Sequence, residues 1–61
     1  MKIEKSFSDP NYMFLMMDNI HIHLTDFEQE STGVRLFNGD SIVGYLYFEQ
    51  ATEFYKAWRA M

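Results

Sequence analysis

Residues 20–25 read IHIHLT, so His21 and His23 stand two positions apart among Ile20, Ile22 and Leu24. In an extended strand alternate side chains share a face, which sets both imidazoles side by side. Two such nitrogens are half of a zinc or copper site. They are also the parts of a pH-sensitive contact, because imidazoles take up protons as the pH falls below neutrality. A metal centre needs further ligands, and the nearest acids, Asp18, Asp26 and Glu28, fall in turn or connecting sequence without a ligand spacing. The pair is therefore read as part of a polar–aromatic surface, with no metal and no cofactor expected.

Other chemistry is thinner. The chain has no cysteine, which removes thiol nucleophiles, disulfides and thiolate metal sites. Ser6, Ser8, Ser31 and Ser41 lie outside any nucleophile-elbow or serine–lysine spacing. Gly33, Gly39 and Gly44 stand singly and form no phosphate-cradling loop. His23 and Asp26 are a conceivable acid–base pair, yet 61 residues seldom enclose a ligand-sized pocket. The chain reads as non-enzymatic.

Charge narrows the choice of partner. The net charge is −4, and only five Lys and Arg are scattered along the chain. Nucleic-acid and anionic-membrane binding rest on cations that neutralise phosphates, so both are disfavoured. An acidic balance suits a protein partner with a basic surface. With 48% hydrophobic and 18% aromatic residues the chain is too apolar to stay disordered. The longest apolar run, YMFLMM, is far short of the roughly 20 residues a bilayer requires. MKIEKSF lacks the apolar stretch of a signal peptide. The expected location is the cytoplasm, that of the host cell if the chain is phage-encoded.

Positioning these side chains requires a scaffold. MKIEKSF alternates weakly, as a short edge strand would, and SDPN is a turn cluster. YMFLMM and IHIHLT are strands joined at Asp18-Asn19. TDFEQESTG is a polar connection, either a loop or one helical turn capped by Thr25 and Glu28. Residues 34–37 and 42–48 are strands about Asn38-Gly39, the strongest turn signal present. From residue 49 onward Ala51, Phe54, Tyr55, Trp58 and Met61 form one helical stripe, with Trp58 as its expected core anchor. The sequence thus predicts a single α+β domain over residues 1–61. Its expected form is an antiparallel meander of about four strands in one small sheet, with the C-terminal helix packed on one face.

Register decides what stays open, because a one-residue slip exchanges the two faces of a strand. A two-residue Asp18-Asn19 loop pairs Met17 with Ile20, Leu15 with Ile22 and Met13 with Leu24, an aliphatic core face. Tyr12, Phe14, Met16, His21 and His23 then face outward. A three-residue loop with Gly39 left-handed places Val34 and Leu36 with Ile42, Gly44, Leu46 and Phe48 under the helix, and leaves Phe37, Val43, Tyr45 and Tyr47 outside. The outward residues of both hairpins make one aromatic face, larger than a soluble monomer normally exposes. The alternatives are that residues 1–11 fold across it, or that the sheet coils tightly and leaves Tyr45 and Tyr47 along its rim with their hydroxyls in water. Asp26, Glu28, Glu30 and Asp40 supply an acidic rim.

These features imply a small acidic module that binds a larger host protein and occludes a site on it. Size and charge are those of inhibitors carried by phages and other mobile elements, the anti-CRISPR class among them, without a motif that ties the chain to any family. Two other readings are a homodimer that buries the same tyrosines and a metal- or pH-sensing module built on His21 and His23.

Overall fold

The computed structural model describes all 61 residues. Asp18 adopts a left-handed φ of 49°, which suits a two-residue reversal. The strands on either side, β2 (Met13–Met17) and β3 (Ile20–Leu24), pair in the expected register, Leu15 against Ile22 and Met13 against Leu24. Residues 2–5 add a third strand, β1 (Lys2–Lys5), with Ile3 opposite Leu15. The N-terminal segment therefore extends the sheet at its edge and does not lie across the sheet's outer face. Ile20, placed in the core by alternation alone, sits at the hairpin tip and is exposed.

The single four-stranded sheet is corrected to two three-stranded antiparallel sheets. One has the order β1-β2-β3; the other is β4 (Asp26–Gln29), β5 (Gly33–Asn38) and β6 (Ser41–Tyr47), in that order. The division occurs at Thr25. Its N–H donates to the Phe37 carbonyl at 2.8 Å, and its hydroxyl accepts the Gly39 N–H at 2.9 Å. One nearly continuous segment, 20–29, thus pairs with β2 along its first half and with β5 along its second. The turn or loop expected over 25–33 is a strand for four of its residues. Its alternation is easily missed, because only Phe27 points inward between Asp26 and Glu28.

The second hairpin also differs from expectation. Asn38 pairs with Ser41 around a two-residue Gly39-Asp40 loop, with Gly39 at φ 61°. A bulge follows: Leu36 pairs with Gly44 and Phe37 with Ile42, leaving Val43 as the extra residue. The bulge restores the expected parity further along, so Val34, Leu36 and Leu46 are buried. It also turns Ile42 outward, where 49% of it is exposed.

The inner faces of both sheets share one core with the helix α1 (Glu49–Arg59). Ile3, Leu15 and Leu24 come from one sheet, Val34, Leu36 and Leu46 from the other, and Ala51 and Phe54 from the helix. Phe54 is fully buried, whereas Trp58 is 36% exposed. Phe54 is therefore the anchor, and the expectation for Trp58 is corrected. Trp58 lies a turn beyond Phe54, where it packs edge-on against Phe27 at 4.9 Å and borders an open groove beside β1. No helix is long and apolar enough to cross a membrane.

Candidate functional site

Along β6 the side chains of Tyr45 and Tyr47, two residues apart, project from the same outer face. Their rings stack nearly parallel, 7° apart, with centroids separated by 6.1 Å. Phe48 continues the row, its ring 6.5 Å from that of Tyr47. These three rings are 44%, 51% and 72% exposed. Each aromatic can bury about 150–250 Å² in a contact, so the row is a large apolar surface left in water.

Phe48 belonged to the buried set by sequence parity, and the structure reverses that. It stands between β6 and α1 at φ 52°, ψ −116°, a backbone conformation suited to glycine. Its N–H donates to the Thr32 carbonyl at 3.0 Å, and its own carbonyl accepts the Thr52 N–H at 3.1 Å. Both bonds hold the strained residue in place while its ring points into solvent. Backbone strain of this kind persists only where the surroundings fix it, and it clusters at functional sites.

Arg35 completes the other end of the row. Its guanidinium carbon lies 5.5 Å from the Tyr45 ring centroid, within range of a cation–π contact. The same guanidinium pairs with Glu28 at 3.7 Å and Glu30 at 2.5 Å. The cross-strand registers Glu28–Arg35 and Arg35–Tyr45 set all three side chains in line across the sheet. Two members of the expected acidic rim are therefore partly neutralised. The other two, Asp26 and Asp40, are exposed at one end of the sheet, because Thr25 ties the Gly39-Asp40 turn to the start of β4. At the far end of β6, Glu49 opens the helix.

The outward residues of the first hairpin occupy a different sheet. Phe14 and His23 oppose one another and meet edge to face at 4.6 Å; Met16 opposes His21. Phe14, Met16 and Tyr12 are half-buried, while both imidazoles are exposed. The nine residues expected on one face are thus divided between two sheets: Tyr12, Phe14, Met16, His21 and His23 on or beside the first, Phe37, Val43, Tyr45 and Tyr47 on the second. Beside the histidine face, Glu4 bonds to the Lys2 ammonium at 2.8 Å and raises its pKa above the ordinary value. That pair is exposed and adds little to stability.

His21 and His23 share the outer face of β3, yet no group of three His, Cys, Asp or Glu gathers there or elsewhere. Two residues of structural weight were missed by sequence reasoning. Phe27 packs edge-on against Phe54, Tyr55 and Trp58. Gly33 lets β5 approach β6 so closely that a Cβ there would stand 2.0 Å from the Leu46 carbonyl oxygen. Compared with protein-family models, curated proteins and solved structures, the chain matches none of them.

Proposed function

We propose that this chain is a non-enzymatic protein-binding module that lays the outer side of β6 on a larger, basic protein and occludes a site there. The exposed row Tyr45–Tyr47–Phe48 carries the reading. A domain of 61 residues buries a modest fraction of its surface, so three aromatic rings held out of its core weaken a scarce source of stability. Large exposed apolar patches with polar borders mark protein contacts. Tyrosine is also among the residues on which binding energy concentrates.

The acids give the partner its sign. Asp26 and Asp40 lie at one end of the row and Glu49 at the other, and the chain carries a net charge of −4. Lysines and arginines on the partner would complement them and speed association. The setting we propose, on size and charge alone, is an inhibitor encoded by a phage or another mobile element and acting in the host cytoplasm, as anti-CRISPR proteins do. Binding by occlusion requires no catalytic group, cofactor or metal.

The test is a tagged pull-down from lysate of the native or host cell, with the Tyr45→Ala/Tyr47→Ala variant run in parallel. The expected result is one dominant protein retained by the parent chain and lost with the variant, whose circular dichroism and melting stay intact. A partner held equally by both would remove the β6 row from the interface. A parent chain of doubled mass in solution, reverting to monomer in the variant, would favour self-association instead.

A further inference from the structure

The side chains of Tyr45 and Tyr47 are not the only groups this strand leaves unused. β6 pairs with β5 alone, so its other edge is free. The Phe48 N–H that bonds Thr32 sets the phase of the ladder. In an antiparallel pair both backbone groups of a residue point to the same neighbour, and successive residues alternate. Leu46, opposite Val34, therefore faces β5 with Phe48, and the N–H and C=O of Tyr45 and Tyr47 point away from the sheet. No hydrogen bond outside the ladder reaches residues 41–47.

Free edges are hazards that proteins usually blunt with charge or shortness. Two of the three other edges follow that practice, and the third, β3 (IHIHL), is uncharged but two residues shorter than β6. β1 is KIEK, and β4 carries Asp26 and Glu28; each is four residues long. β6 is seven residues, SIVGYLY, without a charged side chain. Its bulge disturbs only the end nearest the turn.

Resting on the protein-binding reading above, we infer that the partner is an extended segment of the larger protein. It pairs as an added strand with the free edge of β6, carrying lysine or arginine at its ends and apolar side chains towards Tyr45 and Tyr47. This is strand addition, in which backbone bonds give affinity and alternate side chains give specificity. Charge chooses this occupant over a second copy. Two β6 strands pairing antiparallel about Gly44 would bring each Asp40 beside the other chain's Phe48 and Glu49, acid against acid at both ends. A basic-ended strand meets Asp40 at one end and Glu49 at the other.

The experiment titrates the full ¹⁵N-labelled chain with a blocked peptide of alternating valine and threonine, with two lysines at each end. Two comparison peptides carry glutamates for the lysines, or N-methyl groups on alternate amides. The expected outcome is saturable shifts concentrated on β6, with amide exchange at Tyr45 and Tyr47 slowed about tenfold or more. The N-methylated and glutamate peptides should each bind at least about tenfold more weakly. Tyr45→Pro, which removes only an outward N–H from an edge and so should fold, is expected to bind more weakly than Tyr45→Ala.

Equal binding of the N-methylated peptide would overturn strand addition. The protein-binding reading would survive that result if Tyr45→Ala/Tyr47→Ala still lost its partner. Equal binding of the glutamate peptide would overturn the basic partner. Absence of shifts at about millimolar lysine peptide, or shifts confined to the His21–His23 face, would overturn the site. Protection of Tyr45 and Tyr47 in a peptide-free dimer would name the second copy as the occupant and overturn the proposal.

Discussion

Phe48 combines a strained backbone with an exposed ring in one residue. A side chain at φ 52°, ψ −116° costs on the order of 1–3 kcal/mol, and here the ring recovers little by burial. Phe48→Gly should raise the free energy of unfolding by about 1 kcal/mol, relieved strain outweighing the freer unfolded chain. The same change should weaken partner binding. Urea denaturation and a binding titration on one sample decide the matter, and a variant unchanged in both would show Phe48 neither strained nor part of the contact. Phe54 behaves oppositely: fully buried, it should cost about 3–5 kcal/mol as Phe54→Ala, enough to unfold much of a small domain. Trp58→Ala, at a partly exposed site, should cost only about 1–2 kcal/mol by the same denaturation.

Between elements, two contacts decide whether the row on β6 is presented at all. Gly33 permits the close approach of β5 to β6; the Cβ of Gly33→Ala would meet the Leu46 carbonyl oxygen, a backbone atom with no room to yield. That variant should lose more than about 2 kcal/mol and scramble the amide shifts of both strands. A well-folded Gly33→Ala protein with an unchanged spectrum would show that the strands can separate cheaply. Thr25 is the other contact, since its hydroxyl and N–H hold the corner between the two sheets. Thr25→Val leaves the N–H bond but removes the hydroxyl that accepts from Gly39, which should cost about 1 kcal/mol. Faster exchange of the Gly39 amide would be the local signature.

At the level of the whole molecule, the protein-binding proposal expects the excess of acid over base to act on encounter more than on folding. Attraction between exposed charges fades over a screening length of about 8–10 Å at physiological salt, and that length shortens as salt is raised. The association rate with a basic partner should therefore fall several-fold as sodium chloride is raised, while dissociation changes little. Stopped-flow association at a series of salt concentrations would read this directly. A salt-independent rate would mean that the acids are merely solvated surface. The two-sheet arrangement adds a geometric consequence. With the aromatic residues divided between two outer faces, substitution of His21 and His23 should leave β6 binding untouched.

Much of this was legible in short stretches of chain. Alternation over 13–17 and 20–24, with Asp18-Asn19 between, sufficed for the first hairpin and its register, because side-chain period and turn length are local properties. The stripe of α1 was equally plain, and the stacking of Tyr45 on Tyr47 follows from their spacing of two. What tertiary structure alone decided involves partners distant in sequence. The corner at Thr25 depends on Phe37 and Gly39, twelve and fourteen residues away, and no propensity of Thr25 announces it. The bulge at Val43 follows from fitting β6 to β5, and it moved Ile42 outward against simple parity. Which residue anchors the helix was settled by where the sheets end: Phe54 falls over them and Trp58 beyond. Phe48 was hidden most completely, since parity assigns it to the core and only the positive φ at the strand–helix junction, held by Thr32 and Thr52, swings its ring into water beside the tyrosines.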